Sequence, residues 1–530
     1  MLTIRDLTVP AVHDSSALYF LAARALRIPA SELTGLRIRR RSLDARKKDA
    51  ICWRYTVDVS TRHSEARVLK QCRNPRVSPA VQEYYRVPKT SAQPELRPVV
   101  VGFGPAGMFA ALLLSLAGLR PIVLERGQDA QTRNERVRRF WSTGELDPEC
   151  SVQFGEGGAG TFSDGKLNTG TKNERHGWIL RQLVEAGASE EILYDAKPHV
   201  GTDVLLTVVQ SLRRRILSLG GEVRFGAKLT GLHLDGGRLN GIDVQTKDGM
   251  ETLFCDRLIL ALGHSARDTF VMLHKNGVPM EPKPFSMGVR IEHRQNLVNE
   301  AQYGSDWEAL RLPPADYKLN VKLPDGGSAY TFCMCPGGFV VAAASEEGGV
   351  VTNGMSNADR GGENANAALL VTLLPEDFPD KSVLGGMYWQ RQLEQAAFAA
   401  GEKPYYAPAQ LVGDFLARRK SETLGGVRPT YRPGVTLCEL HEILPQRVTS
   451  VLEQAIPELG KKLSGFDAPD ALLTAPETRS SSPVRILRGE DCQSALLGLY
   501  PCGEGAGYAG GILSAAADGM LCAERVIGSY

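Results

Sequence analysis

Three glycines stand where a phosphate must come close to the main chain. They lie in Val99-Val100-Val101-Gly102-Phe103-Gly104-Pro105-Ala106-Gly107, between a short apolar run and an alanine- and leucine-rich stretch, Met108 to Leu114. Gly102 permits a tight turn, Gly104 lets a pyrophosphate approach, and Gly107 lets the helix pack on the strand. The helix N-terminus favours negative charge. A second apolar run, Pro121 to Leu124, ends in Glu125, an acid placed to accept hydrogen bonds from a ribose. Strand, triplet, helix, strand and acid, in that order over about thirty residues, mark a dinucleotide site.

Three further segments narrow the dinucleotide to FAD. Phe154 to Leu167 holds five glycines in one short span. That density is costly in a helix or strand and useful where the chain touches a flat ring or a phosphate. Ser163, Asp164 and Lys166 supply polar contacts or charge there. Near the end, a strand expected over Leu496 to Tyr500 leads into Pro501-Cys502-Gly503-Glu504-Gly505-Ala506-Gly507-Tyr508-Ala509-Gly510-Gly511 and an alanine-rich helix. Glu504 is a candidate for the ribityl chain, and the N–H groups at Gly511 and Ile512 for the pyrimidine oxygen of a flavin. The third segment is Gly263-His264-Ser265-Ala266-Arg267-Asp268, after an apolar strand at Leu258–Leu262. His264 is placed near nucleotide or substrate, or is structural.

Two other sets carry chemistry. Lys283, Arg290 and His293 surround Phe285-Ser286-Met287-Gly288-Val289. Arg290 is read as a bidentate clamp for a substrate carboxylate, or as a surface salt bridge. Cys333 and Cys335 sit at i and i+2 on an expected strand. They read as thiols on the substrate face of a flavin or as two small buried hydrophobes, a disulfide between them closing a small strained ring.

The elements around these residues suggest several domains, since 530 residues exceed one core. No apolar run reaches the ~20 residues that span a bilayer. The start lacks a basic region followed by an apolar core, so no secretory signal is read. Ten scattered cysteines form neither a disulfide framework nor a zinc pattern and fit a reducing cytoplasm. The net charge of +2 hides an asymmetry: residues 1–90 hold 18 Lys and Arg against 8 Asp and Glu, a net of +10, and the remainder carries −8.

Residues 1–90 predict a small ferredoxin-like α/β module. Leu2 to Val9 reads as a strand, His13 to Ser16 as helix caps before Ala17–Leu26, and Ile51 to Val59 alternates as a half-buried strand. The stretch 37–48 forms a basic hairpin tip, either a solvated turn or a contact for RNA or another anionic partner. Pro88 to Pro98 reads as a linker. Further on, strands at Ala227–Leu234 and Leu239–Thr246 flank the turn Asp235-Gly236-Gly237.

With these segments in place, the chain resembles a bacterial family of FAD-dependent (NAD(FAD)-utilising) dehydrogenases in the glutathione-reductase-like superfamily. The shared marks are Phe154–Leu167, Lys197–Asp203, Lys283–His293, Phe332–Gly338, Val351–Ser356 and Pro501–Gly511. The resemblance implies FAD binding by Gly102, Gly104, Gly107, Glu125, Gly157, Gly158, Ser163, Glu504 and Gly511, with Val223 touching the adenine through its backbone. Pro105, Ala106, Arg126, Thr161, Lys166, Gly263, Gly510 and Ile512 complete the expected cofactor set. The family supplies no substrate. Disulfide reductases of similar fold carry a second glycine triplet with its own βαβ unit for NAD(P) and a Cys-x4-Cys pair, and neither is read here.

The expected fold class is α/β: a discontinuous two-dinucleotide-type FAD-binding Rossmann domain, an α/β substrate domain and the small N-terminal α/β module. The expected bounds are 1–90, 95–280 (FAD, first part), 281–475 (substrate or cap) and 476–530 (FAD, second part). The expected activity is a cytoplasmic FAD-dependent oxidoreductase moving hydride between a small-molecule substrate and flavin N5, with NAD(P)H a transient reductant and no metal. Lys166, His264 and Arg290 are the candidates for catalytic roles. Two alternatives are an RNA-modifying flavoenzyme gripping phosphates through its basic module, and a redox-sensing protein that holds FAD without turnover.

Overall fold

The computed structural model of the protein describes every residue except Ser15, Gln82, Glu83, Thr169 and Thr171. The N-terminal module runs β1 (Leu2–Pro10), α1 (Ser16–Leu26), β2 (Leu33–Asp44), β3 (Cys52–Thr61), α2 (Glu65–Cys72) and β4 (Val77–Pro79). Its sheet is antiparallel in the order β2-β3-β1-β4, a split βαβ arrangement. Asp14 Oδ1 accepts from the Ser16 N–H at 2.7 Å at the start of α1, whereas Ser15, the neighbouring cap candidate, lies outside the described residues. Leu2, Ile4, Leu18, Ala22, Val57 and Val59 close a core of the module's own.

The basic hairpin is a docking element as well as a solvated tip. The Arg41 N–H donates to Tyr194 O, and Arg41 O accepts from the Ala196 N–H. The Arg41 guanidinium forms a fork on Asp195 at 2.6 and 2.9 Å and lies over the rings of Trp53 and Tyr194. Arg37, Arg39, Arg40, Arg46, Lys47 and Lys48 remain exposed.

The next elements are β5 (Val99–Val101), α3 (Pro105–Leu116), β6 (Ile122–Glu125), α4 (Ala130–Thr143), α5 (Arg175–Glu185), α6 (Thr202–Ser218) and β7 (Glu222–Phe225). A meander follows: β8 (Lys228–Asp235), β9 (Arg238–Thr246) and β10 (Gly249–Phe254), the third strand being absent from the sequence reading. Then come β11 (Leu258–Leu260) and α7 (Arg267–Lys275). After a long excursion the chain returns as β23 (Leu499–Pro501) and α12 (Ile512–Gly528). The sheet β23-β11-β5-β6-β7 is parallel throughout. Its three central strands, β11, β5 and β6, are built almost wholly of Val, Ile and Leu because both faces are covered, whereas edge strand β7 (Glu-Val-Arg-Phe) is only half-buried. Helices α3, α5, α6 and α12 cover one face, and the meander with α7 the other.

The excursion comprises β12 (Met280–Pro282), β13 (Phe285–Arg294), α8 (Gln295–Tyr303), β14 (Asn320–Lys322), β15 (Ser328–Cys335), β16 (Phe339–Ala342), β17 (Thr352–Met355), β18 (Asn364–Leu373), α9 (Gly385–Ala400), β19 (Ala407–Leu411), α10 (Val412–Leu416), β20 (Val435–Leu437), α11 (Gln446–Gly460), β21 (Leu472–Glu477) and β22 (Val484–Ile486). Seven of these strands form a sheet in the order β14-β15-β18-β13-β21-β19-β20, antiparallel except for the β19–β20 pair. Its core includes Val289, Ile291, Leu369, Phe415, Val448, Leu452 and Phe466. Strand β21 runs two residues past the expected boundary at 475, and β12 pairs with β22, so the chain crosses between the two sheets as adjacent strands.

Candidate functional site

Four separated stretches of main chain meet at the C-terminal ends of β5, β6, β11 and β23. Gly102, at φ +96, leaves no room for a side chain: a Cβ there would lie 2.2 Å from Ala261 O. A Cβ on Gly107 would lie 1.9 Å from Gly102 O, so α3 packs this closely only with glycine. Gly104 caps α3 through its backbone alone, with Pro105 at the first helical position. Gly158, at φ +59, rests on this turn, and its Cβ would come within 2.9 Å of Gly104 Cα. Gly160 faces both Pro105 and Ile512, the first residue of α12, whose Gly511 N-cap also lacks a side-chain cap. The N-termini of α3 and α12 therefore open on one loop. Ala106 also packs under α12, where a Cβ on Gly519 would lie 2.0 Å from its carbonyl. Around Gly263, Gly510 and Gly511 a Cβ would meet nothing within 4 Å.

Glu125 is buried, and its carboxylate accepts three backbone N–H bonds: Phe103 at 2.8 Å, Gly127 at 2.9 Å and Gly155 at 2.9 Å. A carboxylate has about four acceptor positions, so one is left for a ligand hydroxyl. Arg133 of α4, fully buried, donates to the carbonyls of Ser151, Val152, Gly155 and Glu156 at 2.7–3.3 Å. Burial pulls its guanidinium down to about 10, still charged at neutral pH. Arg126 is committed to Glu149 and Asp268 and stacks 4.1 Å from the Phe154 ring centroid. Thr161 Oγ1 donates to Glu156 O, and Ser163 Oγ donates to Gly160 O, so both hydroxyls shape the loop. Val223 lies on the edge strand β7, paired with Val123.

A second group of polar residues gathers from the 154–167 loop, the loop after β23 and strands β13 and β15 of the antiparallel sheet. Asp164 is buried and takes a fork from Arg360 at 3.0 and 2.5 Å, with Lys166 Nζ at 3.5 Å. The thiol of Cys333 feels the charges of Lys166 and Arg290, and Glu504 feels that of Cys333. Glu504 makes no side-chain hydrogen bond among the described residues. Burial pushes its carboxyl up to about 7, against the opposing charge of Lys283.

Two candidates have other roles than their residue types suggest. Arg290 is fully buried, neither a surface salt bridge nor an open carboxylate clamp. Its donors go to Asn366 Oδ1 at 2.9 Å, Cys333 O at 2.7 Å, Glu477 at 3.2 Å and Cys335 Sγ at 3.5 Å. Central β13 leaves it no path to solvent. His264 meets Ser265 Oγ at 2.9 Å, and burial with the charges of Arg479 and Arg267 drives its imidazole down to about 3. It is a neutral hydrogen-bonding group at working pH.

Sequence reasoning missed Arg133, Arg360 and Glu477. It also missed an interdomain clamp in which Glu394 of α9 takes forks from Arg267 of α7 and from Arg479 at 2.7–2.9 Å, all three buried. Charged residues far apart in sequence carry no local signal of such pairing. Among the described residues no group of three or more His, Cys, Asp or Glu is placed to hold a metal, and no helix is long and apolar enough to cross a membrane.

Residues 284–480 match a family model described as FAD-dependent protein, C-terminal domain-like, and residues 1–60 match a domain of unknown function. A protein of Clostridium beijerinckii described as an uncharacterized protein is 46% identical over 532 residues, covering 99% of this chain and 98% of its own. Among solved structures, a triple mutant of the flavin-dependent brominase Bmp2 is 13% identical, covers 82% of this chain and 81% of its own, and has a TM-score of 0.39. The L-proline dehydrogenase of P. horikoshii is 10% identical over 83% of this chain and 95% of its own, with a TM-score of 0.33.

Proposed function

We propose that the chain, which matches a model of FAD-dependent proteins over residues 284–480, is a flavoprotein oxidoreductase that holds FAD extended across a two-dinucleotide-type Rossmann sheet. The observation that carries this reading is the convergence of the glycine stretches at 102–107, 155–160, 263 and 503–511 on two helix N-termini without side-chain caps. The donor set fits a dinucleotide. Backbone N–H groups at the start of α3 face a pyrophosphate, and the free acceptor position of Glu125 suits a ribose hydroxyl. The unpaired Glu504 carboxyl suits the ribityl hydroxyls, and the first N–H groups of α12 suit the pyrimidine oxygen.

Bound FAD supplies two-electron, hydride-accepting chemistry. The chain's own residues bind, orient and exclude water. Arg133 and Glu125 fix the loop that shapes the cradle. Lys166 of the glycine loop, Cys333 of β15 and Glu504 after β23 form the polar wall of a small-molecule pocket. Lys166 contributes positive charge, and Glu504 holds or releases a proton near neutral pH. If NAD(P)H is the reductant, it docks transiently at that wall.

Purified protein tests the reading directly. A yellow preparation whose chromophore is released on denaturation and has the mass of FAD supports it. So does reduction of that colour by NADH, NADPH or a metabolite under anaerobic conditions. Folded, colourless protein that takes up no added FAD overturns it.

A further inference from the structure

Strand β15 carries its two thiols on a distorted stretch. Phe332 pairs with Ala368 and Cys335 with Asn366, so Cys333 and Met334 together oppose Ala367. One extra residue on one strand is a β-bulge, a feature enriched beside active sites. Cys333 sits at φ +41, in the left-handed region that a residue with a Cβ rarely adopts. Such strain persists only where the surroundings impose it.

Here the surroundings are explicit. Arg290 Nη2 donates to Cys333 O at 2.7 Å and to Cys335 Sγ at 3.5 Å. Room for that guanidinium exists because residue 354 is glycine, where a Cβ would lie 1.9 Å from Nη2. Asn366 and Glu477 hold its remaining donors. Strands β13, β17, β18 and β21 thus jointly hold the bent segment of β15.

The bend changes what the thiols can do. In a regular strand, residues i and i+2 are separated by about 6.6–6.8 Å, the outer edge of the Cα range that a disulfide bridges. At the bulge the Cys335 thiol turns back on its neighbour and donates to the Cys333 carbonyl at 3.3 Å, the same carbonyl that Arg290 holds. Cys335 is fully buried and Cys333 partly exposed. The Cys335 hydrogen bond, then Lys166 and Arg290, favour the Cys333 thiolate. Glu504, from the FAD cradle, lies within electrostatic range of that sulfur.

Resting on the FAD reading above, we propose that Cys333 and Cys335 form a dithiol–disulfide couple that carries an electron pair between the flavin cradle and an external disulfide substrate. The Cys333 thiolate attacks the external disulfide. Its S–S bond breaks, a mixed disulfide forms on Cys333, and one thiolate leaves. Cys335 then gives its proton to the departing thiolate and attacks the Cys333 sulfur, releasing the second substrate thiolate, which takes a proton from solvent. One external disulfide has become two thiols, and one internal disulfide has formed. Two electrons from reduced flavin and two protons break that internal bond and restore both thiols.

The holoprotein tests this in two ways. In the first, air-oxidised protein treated with oxidised dithiothreitol and freed of the reagent is titrated anaerobically with dithionite. Wild type is expected to take up four electrons per flavin, and Cys335→Ser only two. In the second, thiol labelling and peptide mass are read on the same protein. The peptide spanning both cysteines should lose both labels and weigh two hydrogens less, whereas Cys335→Ser should keep Cys333 labelled, because the tethered thiol of the reagent closes back on its own sulfur and expels the Cys333 thiolate. Cys333→Gly suits the positive φ and should fold with its flavin while losing the extra two electrons. Flavin-loaded wild type that takes up two electrons and keeps both thiols labelled overturns the couple alone. A preparation that binds no flavin overturns the FAD reading, and the couple with it.

Discussion

Glu125 and Arg133 hold the two ends of one residue. The Gly155 N–H donates to Glu125 Oε1 at 2.9 Å, and the Gly155 carbonyl accepts from Arg133 Nη1 at 3.3 Å. A Cβ on Gly155 would lie 2.4 Å from Arg133 Cδ, so the grip depends on a bare main chain. The acid that ends β6 therefore does two jobs, since the same carboxylate also holds the first turn of the phosphate loop through Phe103.

Arg133→Ala removes donors from four buried carbonyls. An unsatisfied buried backbone group costs about 1–3 kcal/mol, and neighbours do not add fully. The expected loss is roughly 3–5 kcal/mol in urea unfolding, with FAD affinity reduced at least about tenfold because the loop loses its shape. Arg133→Lys should recover only part, since an ammonium cannot span the carbonyls as a fork does. Unchanged affinity in Arg133→Ala would show that the cradle does not need this grip.

Gly158→Ala separates backbone strain from cradle shape. The new Cβ would meet Gly104 Cα at 2.9 Å at φ +59. Gly237→Ala supplies the control, a hairpin tip at φ +79 with nothing within 4 Å. Both should lose about 1 kcal/mol from the positive φ. Only Gly158→Ala should weaken FAD binding, by tenfold or more, in a flavin fluorescence titration.

What the sequence revealed follows the range of the physics. The phosphate turn was legible because Gly102, Gly104 and Gly107 each answer a local steric demand, and the apolar runs at 99–101, 122–124 and 258–260 mark strands buried on both faces. The role of Arg290 was not legible. An arginine in an alternating strand looks like a surface residue, and only the assembled sheet shows Gly354 opening space for it and Glu477 answering its charge. The bulge at Cys333 was hidden for the same reason, since register against Ala368 and Asn366 depends on a strand over thirty residues away. Strand β10 was missed because its residues are mostly exposed and lack the half-buried alternation of a strand.

The carboxylate of Glu394 accepts forks from two arginines, one on the parallel-sheet domain and one beside the antiparallel sheet. Glu394→Ala takes the fork from both buried guanidiniums and leaves them only the Glu346 carboxylate, at a cost of about 3 kcal/mol. Differential scanning calorimetry should show a lowered Tm. The buried arginines hold this carboxyl well below its ordinary range, against the desolvation that opposes ionisation. Its contribution is therefore present above the unfolded value of 4.5 and is lost as the pH falls below it. A Tm unchanged in Glu394→Ala would deny the clamp any role in joining the domains.

Arg41 pins the N-terminal module through its fork on Asp195 and its place over Trp53 and Tyr194. Arg41→Ala should loosen the module without touching the cradle. Trypsin should then cut the 88–98 linker several-fold faster while the flavin content stays constant. Arg41→Lys should behave like the alanine variant, because it loses both the fork and the planar stack. Equal cleavage rates in all three proteins would mean that other contacts suffice.

Glu504 should give stability and FAD binding opposite pH dependences. Burial raises its folded value to about 7 from an ordinary 4.5. The folded apoprotein then binds more protons than the unfolded chain between those values. This contribution is complete below about 4.5 and is lost as the pH rises through about 7, on the order of 1–3 kcal/mol. Glu477, also raised to about 7 by burial despite Arg290, acts in the same window, so apoprotein stability alone does not single out Glu504. FAD affinity does. Ribityl hydroxyls donate to the ionised carboxyl, so binding should release a proton and tighten as the pH climbs from 5 toward 7, then level off. Glu504→Gln should bind FAD more weakly at pH 8 and lose this slope. A Kd in wild type that is flat across that range, measured by fluorescence titration, would remove Glu504 from the ribityl contact.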